Sequence, residues 1–355
     1  MDAVRGRRNR AWAAFAAALV ALTAITACGT IGPHRAAGPR VARPQTGYQA
    51  VIARLVLSVV EISPGRSTGS GRSTGSGVVF DGRGDIVTSA QVVGKAQDFT
   101  VAAAAVAISM KATLVGVFAP DDLAVIRVTS GASNLRAARW ADSSQAQIGE
   151  IVLAMGSPYG LLDSITQGIV SATGRTVSGQ PGAKGEPRSV IAGAIATSAV
   201  INPGNNGGAL VTLAGGVLGI PAFAARTAGL GFAASGIGFA IPANTVTDIA
   251  AQLIARGKVT VSGRSSLQIT GRTHIDSSGK PDGVTVAVAP SGGAAARAGI
   301  AAGDVIAGLD GQQIRTLAQL ENQLTRYQPD EKVSVEILRG GNPRQLDVTL
   351  GALSS

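Results

Sequence analysis

Short apolar segments separated by turn-forming residues are the feature that most limits how this sequence can fold. Between Gly77 and Ile220, runs rich in Val, Ile and Ala alternate with Gly, Pro and Asp. Such punctuation is typical of the short strands of a β-sandwich or β-barrel. The predicted strands include Gly77–Phe80, Asp85–Thr88, Ala112–Val117, Leu123–Val128, Glu150–Ala154, Ile165–Ser171, Val190–Ala194 and Val217–Ile220. The 355 residues suffice for two or three domains.

Two segments before this region are less regular. Val51–Ile62 is apolar and fits either a strand or a short helix. A direct duplication follows, in which Gly65–Ser70 is repeated as Gly71–Ser76. Two copies are too few for a repeat architecture, so we interpret the duplication as a flexible loop insertion, which surface loops tolerate.

One amphipathic helix is predicted to begin at Pro242 and to close at Arg256 and Gly257, a cationic last turn and a C-cap. Its apolar face comprises Val246, Ile249, Ala250, Leu253 and Ile254.

From about Ser262 the sequence indicates a separate unit. Gly283–Val288 and Val333–Leu338 are predicted strands, and Ala294–Gly299 is a predicted helical turn. Thr316–Arg326 is a predicted helix, because Thr316 and Gln319 have the spacing of a capping box.

The N-terminus has the pattern of a bacterial secretory signal. Basic residues precede the uncharged run Ala11–Ala27, and small residues lead to Cys28. The four residues ending in Cys28 resemble a lipobox, so we expect residues 1–27 to be a lipoprotein signal peptide and Cys28 to be lipidated. An uncleaved anchor helix is the alternative, and the Arg7-Arg8 pair leaves Sec and Tat export undecided. Residues 28–50, rich in Pro, Gly and Arg, are predicted to be a flexible tether.

The charge distribution argues against nucleic acid as a partner. The formal net charge is +10, and it is still +7 without the first ten residues, but the excess is scattered and no basic run is interleaved with aromatics. The single cysteine and two histidines give no metal-binding pattern, and no cofactor motif occurs. We therefore predict no metal, no cofactor and no nucleic acid.

Several motifs in order resemble one family. Ile201–Val211 reads INPGNNGGALV, where HtrA/DegP-type serine proteases have INPGNSGGPLV around the nucleophile. Gly156–Pro158, Gln167–Ser171 and Gly236–Pro242 match the segments flanking that loop. Ala294–Gln312 (AAARAGIAAGDVIAGLDGQ) resembles the PDZ domains of the same family.

The resemblance extends from Gly75 to the C-terminus and implies a mainly β fold. It implies a trypsin-like double six-stranded β-barrel over residues 51–258, followed by a small α+β PDZ-like domain over residues 262–352. In this family the active site is a Ser-His-Asp triad with an oxyanion hole.

The resemblance also locates a degenerate triad. The family's histidine motif TNAHVV is here Thr88–Val93 (TSAQVV), which puts Gln91 at the position of the base. Asn206 stands at the position of the nucleophile, and Asp122 retains the carboxylate. A carboxamide neither attacks a carbonyl nor accepts a proton near neutral pH, so we predict no proteolysis. The backbone N–H groups of Gly204 and Asn206 are expected to still face an oxyanion hole.

Replacement catalytic groups are scarce. His34 lies in the tether and His274 in the PDZ-like unit, and Cys28 belongs to the lipobox. A Ser198–Lys95 dyad is the remaining alternative. Without an imidazolium to stabilise, Asp122 is expected to accept hydrogen bonds from Gln91 and nearby backbone.

Two peptide-binding surfaces are predicted. Ser235–Ile241 is expected to offer a strand edge in the cleft. In the PDZ-like unit, the family's carboxylate-binding loop YLGI is replaced by Ser266, Leu267, Gln268 and Ile269, and this loop with Leu317, Leu320 and Leu324 forms the expected groove. Gln268 replaces a glycine, which puts capture of a peptide C-terminus in doubt. A PDZ-like unit used only for packing or assembly is the alternative.

The sequence therefore predicts a pseudoprotease, lipid-anchored on the outer face of the bacterial cell membrane, that binds unfolded or partner polypeptides as a chaperone or scaffold. One alternative is an active HtrA-type endopeptidase of envelope quality control. Another is a regulatory subunit of an active relative. The family resemblance implies a homotrimer or a mixed oligomer with such relatives.

Overall fold

The computed structural model describes residues 43–65, 74–103, 108–156, 164–178, 189–226 and 233–354. The predicted signal peptide, Cys28, His34 and most of the predicted tether lie outside these residues, as do residues 66–73 of the duplicated segment. Residues 46–355 form one compact unit, and the preceding unit ends at Gln45.

The end of the predicted tether is wrong. Residues 43–50 belong to helix α1, Arg43–Leu55. Apolar residues at helical spacing, Tyr48, Val51, Ile52 and Leu55, pack against the main core and stabilise a helix where composition indicated a tether. The segment Val51–Ile62 therefore contains both elements that its sequence allowed, the end of α1 and the start of a strand.

The first barrel contains six strands and one short helix. They are β1 (Val59–Pro64), β2 (Gly75–Val79), β3 (Asp85–Ser89), α2 (Ala90–Val93), β4 (Asp98–Ala103), β5 (Ile108–Phe118) and β6 (Leu123–Val128). The strands close in the order β1-β2-β3-β6-β5-β4 around a core of Val, Ile, Phe and Met side chains. The interpretation of the whole duplication as a loop is wrong at its end, because Gly75 and Ser76 pair with β1 inside β2.

The second barrel has the same plan. Its strands are β7 (Ile151–Gly156), β8 (Ser164–Ser178), β9 (Val190–Thr197), β10 (Ala209–Thr212), β11 (Val217–Arg226) and β12 (Ala233–Pro242). They close in the order β10-β11-β12-β9-β8-β7. The expectation that Ser235–Ile241 offers a free strand edge is wrong for the second half of this segment. Gly238–Ala240 pair with β9 on one side and with β11 on the other. Barrel closure uses up that edge.

Helix α3, Ala243–Arg256, follows the second barrel and contacts strands of both barrels. Val246, Ile249, Ala250 and Leu253 are buried, and Gly257 adopts φ 69° while its N–H donates to Leu253 O at 2.7 Å. The predicted helix, its apolar face and its glycine C-cap are confirmed.

A smaller α+β domain completes the described chain. It contains β13 (Ser265–Ser266), β14 (Thr270–Ile275), β15 (Pro281–Val288), α4 (Ala294–Arg297), β16 (Val305–Leu309), β17 (Gln312–Gln313), α5 (Leu317–Leu324), β18 (Lys332–Arg339), β19 (Asn342–Thr349) and β20 (Gly351–Ala352). The main sheet runs β14-β15-β16-β18-β19, so β14 is an edge strand. Thr316 caps α5 by accepting a hydrogen bond from Gln319 N–H at 3.1 Å, as the sequence predicts. The predicted fold class is confirmed: two six-stranded barrels and a PDZ-type domain.

Buried polar contacts join this domain to the barrels. Arg264 forms an ion pair with Asp121 and donates to Val190 O at 2.7 Å. Ser178 of β8 donates to Asn322 of α5 at 3.0 Å. Among the residues that the structure describes, no helix has the length and hydropathy needed to cross a bilayer.

Candidate functional site

Gln91 lies on α2, at the junction that β3 and β6 form at one end of the first barrel. Ser89 caps the helix, because its hydroxyl accepts the N–H of Gln91 at 3.1 Å. The exposed side chain of Gln91 donates from Nε2 to Asp122 Oδ2 at 3.1 Å. The carboxamide thus makes the hydrogen bond to Asp122 that an imidazole N–H makes in a triad, but it carries no basic nitrogen.

Asp122 is the buried centre of this network. It precedes β6 in a left-handed conformation (φ 54°), which Asp tolerates better than most residues. Its carboxylate accepts from Ser89 Oγ at 2.8 Å, from Gln91 N at 3.0 Å and from Gln91 Nε2. Burial raises the pKa of Asp122 to about 6, although these hydrogen bonds act in the opposite direction. Desolvation is the largest cause of this rise in pKa. The expectation that Asp122 accepts hydrogen bonds from Gln91 agrees with both contacts.

Asn206 lies in the loop between β9 and β10, directly after a 3₁₀ turn, Pro203–Asn205. The next residue, Gly207, has φ 77°, and a Cβ there would lie 2.4 Å from Ser76 O. Only glycine fits that conformation and that approach. The loop therefore keeps the backbone conformation that a turn carrying a nucleophile requires, although Asn206 itself has no nucleophilic group.

Ser76 fixes this loop to the first barrel. Its N–H donates to Asn206 O at 3.0 Å, and its hydroxyl donates to Gly204 O at 2.7 Å. Thr88 in turn donates to Ser76 O at 2.6 Å. These contacts place the Asn206 loop against β2 and β3, so the base and nucleophile positions are held by the same strands.

The oxyanion hole expected from the N–H groups of Gly204 and Asn206 stays a prediction. The adjacent Asn205 is fully buried, and neither polar atom of its side-chain amide has a partner among the described residues.

His274 and the residues of the alternative dyad belong to other elements. His274 is on β14 of the small domain, where Nδ1 lies 3.0 Å from Thr285 Oγ1. Ser198 follows β9 and accepts a hydrogen bond from Ile169 N–H at 3.0 Å, whereas Lys95 follows α2 in the first barrel. In the described ranges no cluster of three or more His, Cys, Asp or Glu side chains could hold a metal ion.

A cavity of about 300 Å³ lies between β14 and α5 in the small domain. Six of the seven residues predicted for the peptide groove line it: Ser266, Leu267, Ile269, Leu317, Leu320 and Leu324. Pro120 and Val190 of the barrels also line the cavity, and the remaining lining residues are Arg264, Ser265, Thr270, Gly271, Glu321 and Leu353. The cavity therefore lies at the junction of the two parts of the molecule.

The seventh residue, Gln268, is turned away from the cavity lining. It has φ 55°, the conformation that favours the glycine of the family loop. Its Oε1 accepts from Ala294 N at 2.9 Å, and its Nε2 donates to Ala352 O at 3.2 Å. The side chain thus fastens the loop to α4 and β20.

Three contributors to these sites were missed at the sequence level. Ser76 was assigned to a loop because it belongs to the duplicated segment. Ser89 carries a recognisable signal, a Ser immediately before a helix, but α2 is too short to predict. The Asp121–Arg264 pair joins residues far apart in sequence, so only the fold could reveal it.

The comparisons with known proteins agree with this architecture. The trypsin-like peptidase domain family matches residues 75–220, and the PDZ domain family matches residues 259–350. Together they define a trypsin-like protease scaffold with a C-terminal PDZ domain.

Individual relatives narrow the class. The chain is 38% identical over 283 residues to a probable periplasmic serine endoprotease DegP-like of Halomonas elongata, covering 78% of this chain and 56% of that protein. It is 35% identical over 289 residues to the serine protease Do-like HtrA of Lactobacillus helveticus, covering 78% and 68%. The chain thus spans about half the length of the DegP-like relative.

Solved structures give the same result. The serine endoprotease from Yersinia pestis is 32% identical with a TM-score of 0.57, covering 86% of this chain and 98% of that one. The HtrA-type protease AlgWS227A, solved with a decapeptide, is 29% identical with a TM-score of 0.59, covering 86% and 97%. This chain belongs to the HtrA/DegP family of trypsin-like serine proteases with a C-terminal PDZ domain.

Proposed function

We propose that this chain is an HtrA-type pseudoprotease that binds unfolded or partner polypeptides and does not cleave them. The observation that carries the proposal is the contact between Gln91 and Asp122: a carboxamide makes the hydrogen bond of the catalytic imidazole, opposite a loop whose nucleophile position is Asn206. Neither side chain can take a proton from an attacking group or supply one. A cleft that binds an extended chain does not require either function.

Retention of the surrounding backbone supports a binding role. Gly207 keeps its positive φ, and Ser76 holds the Asn206 loop against the first barrel. One HtrA-type relative is described with a bound decapeptide, and we extend that property, without the cleavage, to this chain. A role as chaperone or scaffold follows.

We place this activity outside the cytoplasm. Several relatives are named periplasmic, and the basic N-terminus, apolar run and Cys28 have the pattern of a lipoprotein signal. Lipidation of Cys28 would anchor the protein to the outer face of the cell membrane. Mass spectrometry of membrane fractions from cells producing the wild type and a Cys28→Ala variant tests this part of the proposal.

The decisive experiment measures cleavage of labelled casein by residues 29–355. Four proteins are compared: the wild type, Gln91→His, Asn206→Ser and the double variant. We expect only the double variant to cut, because a His at position 91 would donate to Asp122 as Gln91 does and would serve a Ser at position 206. A matched control, Gln145→His with Asn134→Ser, introduces the same residue types at exposed positions and should remain inactive.

The alternative outcomes are distinct. Cleavage by the wild type would overturn the proposal in favour of an active endopeptidase, the activity that the relatives' names describe. Silence of the double variant would count against an intact cleft. A regulatory subunit in a mixed oligomer is the second candidate, and co-purification with an active family member in fixed ratio would favour it over independent binding.

A further inference from the structure

We propose that the groove between β14 and α5 binds an internal, uncharged stretch of an extended polypeptide and does not select for a C-terminal carboxylate. This inference rests on the proposed polypeptide-binding function and specifies the ligand of one of its surfaces. Three features of the groove carry it: an occupied backbone donor, a locked loop and the charges of the lining.

The occupied donor is the N–H of Gln268, which donates to Ser266 Oγ at 2.9 Å. Capture of a peptide carboxylate in a backbone nest depends on successive N–H groups that point at the anion. In this loop the successive groups belong to Leu267, Gln268 and Ile269, and the middle one is already satisfied by a side chain of the loop itself. A carboxylate would have to displace that hydroxyl.

The loop is also fastened in this arrangement. Gln268 holds its left-handed conformation while its amide bonds Ala294 N–H and Ala352 O. Gly351 is packed so closely against that amide that a Cβ would lie 2.5 Å from Gln268 Cδ. Rearranging the loop to free its N–H group would break these contacts.

The charges of the lining do not favour an anion. Arg264, the single cation among the described lining residues, already forms an ion pair with Asp121 and donates to Val190 O. A terminal carboxylate would therefore have to compete with Asp121 for this guanidinium.

What remains is a surface suited to an uncharged segment. β14 is the edge of its sheet, so its backbone can pair with an added strand. Leu267, Ile269 and Leu320 supply apolar walls, and the volume of about 300 Å³ lies at the lower end of ligand-pocket sizes. Since Pro120 and Val190 also line the cavity, a segment that continues through it would contact the barrels.

The test compares three fluorescent peptides with one apolar sequence: a free acid, a C-terminal amide, and a form extended at the C-terminus by Gly and Ser. Fluorescence polarisation with residues 29–355 should give dissociation constants within about threefold of one another. A free acid that binds tenfold or more tightly than the amide would overturn the inference. So would binding of none of the peptides, and binding of unfolded casein in that case would leave the proposed function intact.

Three variants test which residues of the small domain determine peptide binding. Ser266→Ala releases the Gln268 N–H, so we expect the acid to gain at least fivefold in affinity relative to the amide. Ser278→Ala, in an exposed turn of the same domain, should change neither affinity. Leu320→Asp should abolish binding of all three peptides. An unchanged acid-to-amide ratio in Ser266→Ala would refute the role of Ser266.

Discussion

The positions of the catalytic triad and the PDZ groove depart from the family pattern in opposite ways. At the centre the backbone is retained, with Gly207 in its left-handed turn, while Gln91 and Asn206 replace the reacting side chains. In the groove the apolar side chains are retained, while Gln268 and Ser266 change the backbone donors of the loop. Under the two proposals above, the first region lacks the groups for proteolysis and the second lacks free backbone donors for a peptide carboxylate, while both regions still bind an extended segment.

The largest expected effect tests whether Asp122 can still orient a histidine base when one is introduced at position 91. If the Gln91→His/Asn206→Ser variant cuts casein as expected, adding Asp122→Asn should lower kcat by about 10⁴, the loss known for the equivalent change in trypsin. Casein cleavage provides the measurement. A loss below tenfold would mean that the centre no longer positions a base, and the two regions would then differ less than proposed.

The next effect concerns the contact between the regions. Arg264→Ala would leave Asp121, which is 2% exposed, as an unpaired buried carboxyl at the edge of the groove. We expect a loss of about 3 kcal/mol in the free energy of unfolding, measured by urea denaturation, because a broken buried pair is costly. The control is the pair of Arg83, which is 67% exposed, with Asp81, and Arg83→Ala should cost less than about 1 kcal/mol. Equal losses would indicate that Arg264 does not join the two regions.

A pH titration isolates Asp122. Because its pKa is raised to about 6 in the folded protein, the folded state binds more protons than the unfolded state between about pH 4 and pH 6. The contribution of Asp122 to stability is therefore largest at low pH and falls as pH rises through this window, by on the order of 3 kcal/mol. Asp122→Asn should lack this dependence.

The unfolding free energy of the wild type minus that of Asp122→Asn should thus fall from pH 4 to pH 7. The Gln91→His variant sharpens the comparison. An imidazolium beside Asp122 favours its ionised form, so the pH dependence should become weaker in that variant. A difference that stays constant with pH would contradict the raised pKa.

How far the sequence predicted these regions depends on the range of the interactions. Gln91, Asp122 and Asn206 were assigned because each stands in a short motif with a fixed role. The turn-forming residues between strands and the Thr316 cap of α5 are likewise local signals, and the structure contains elements predicted from each. Barrel closure, which removed part of the expected β12 edge, depends on pairing between distant strands. The same is true of the Arg264–Asp121 pair, which joins positions 143 residues apart.

The smallest expected effect separates the two roles of Gln268, its backbone conformation and its side-chain contacts. Gln268→Ala keeps the unfavourable positive φ and loses the bonds to Ala294 and Ala352, whereas Gln268→Gly loses the same bonds but relieves the strain. The glycine variant should therefore be more stable than the alanine variant by about 1 kcal/mol, detectable as a difference in the urea midpoint. If the alanine variant were equally stable, the loop would have relaxed out of the left-handed conformation. The bond from the Gln268 N–H to Ser266 would then no longer distinguish this groove from the family pattern.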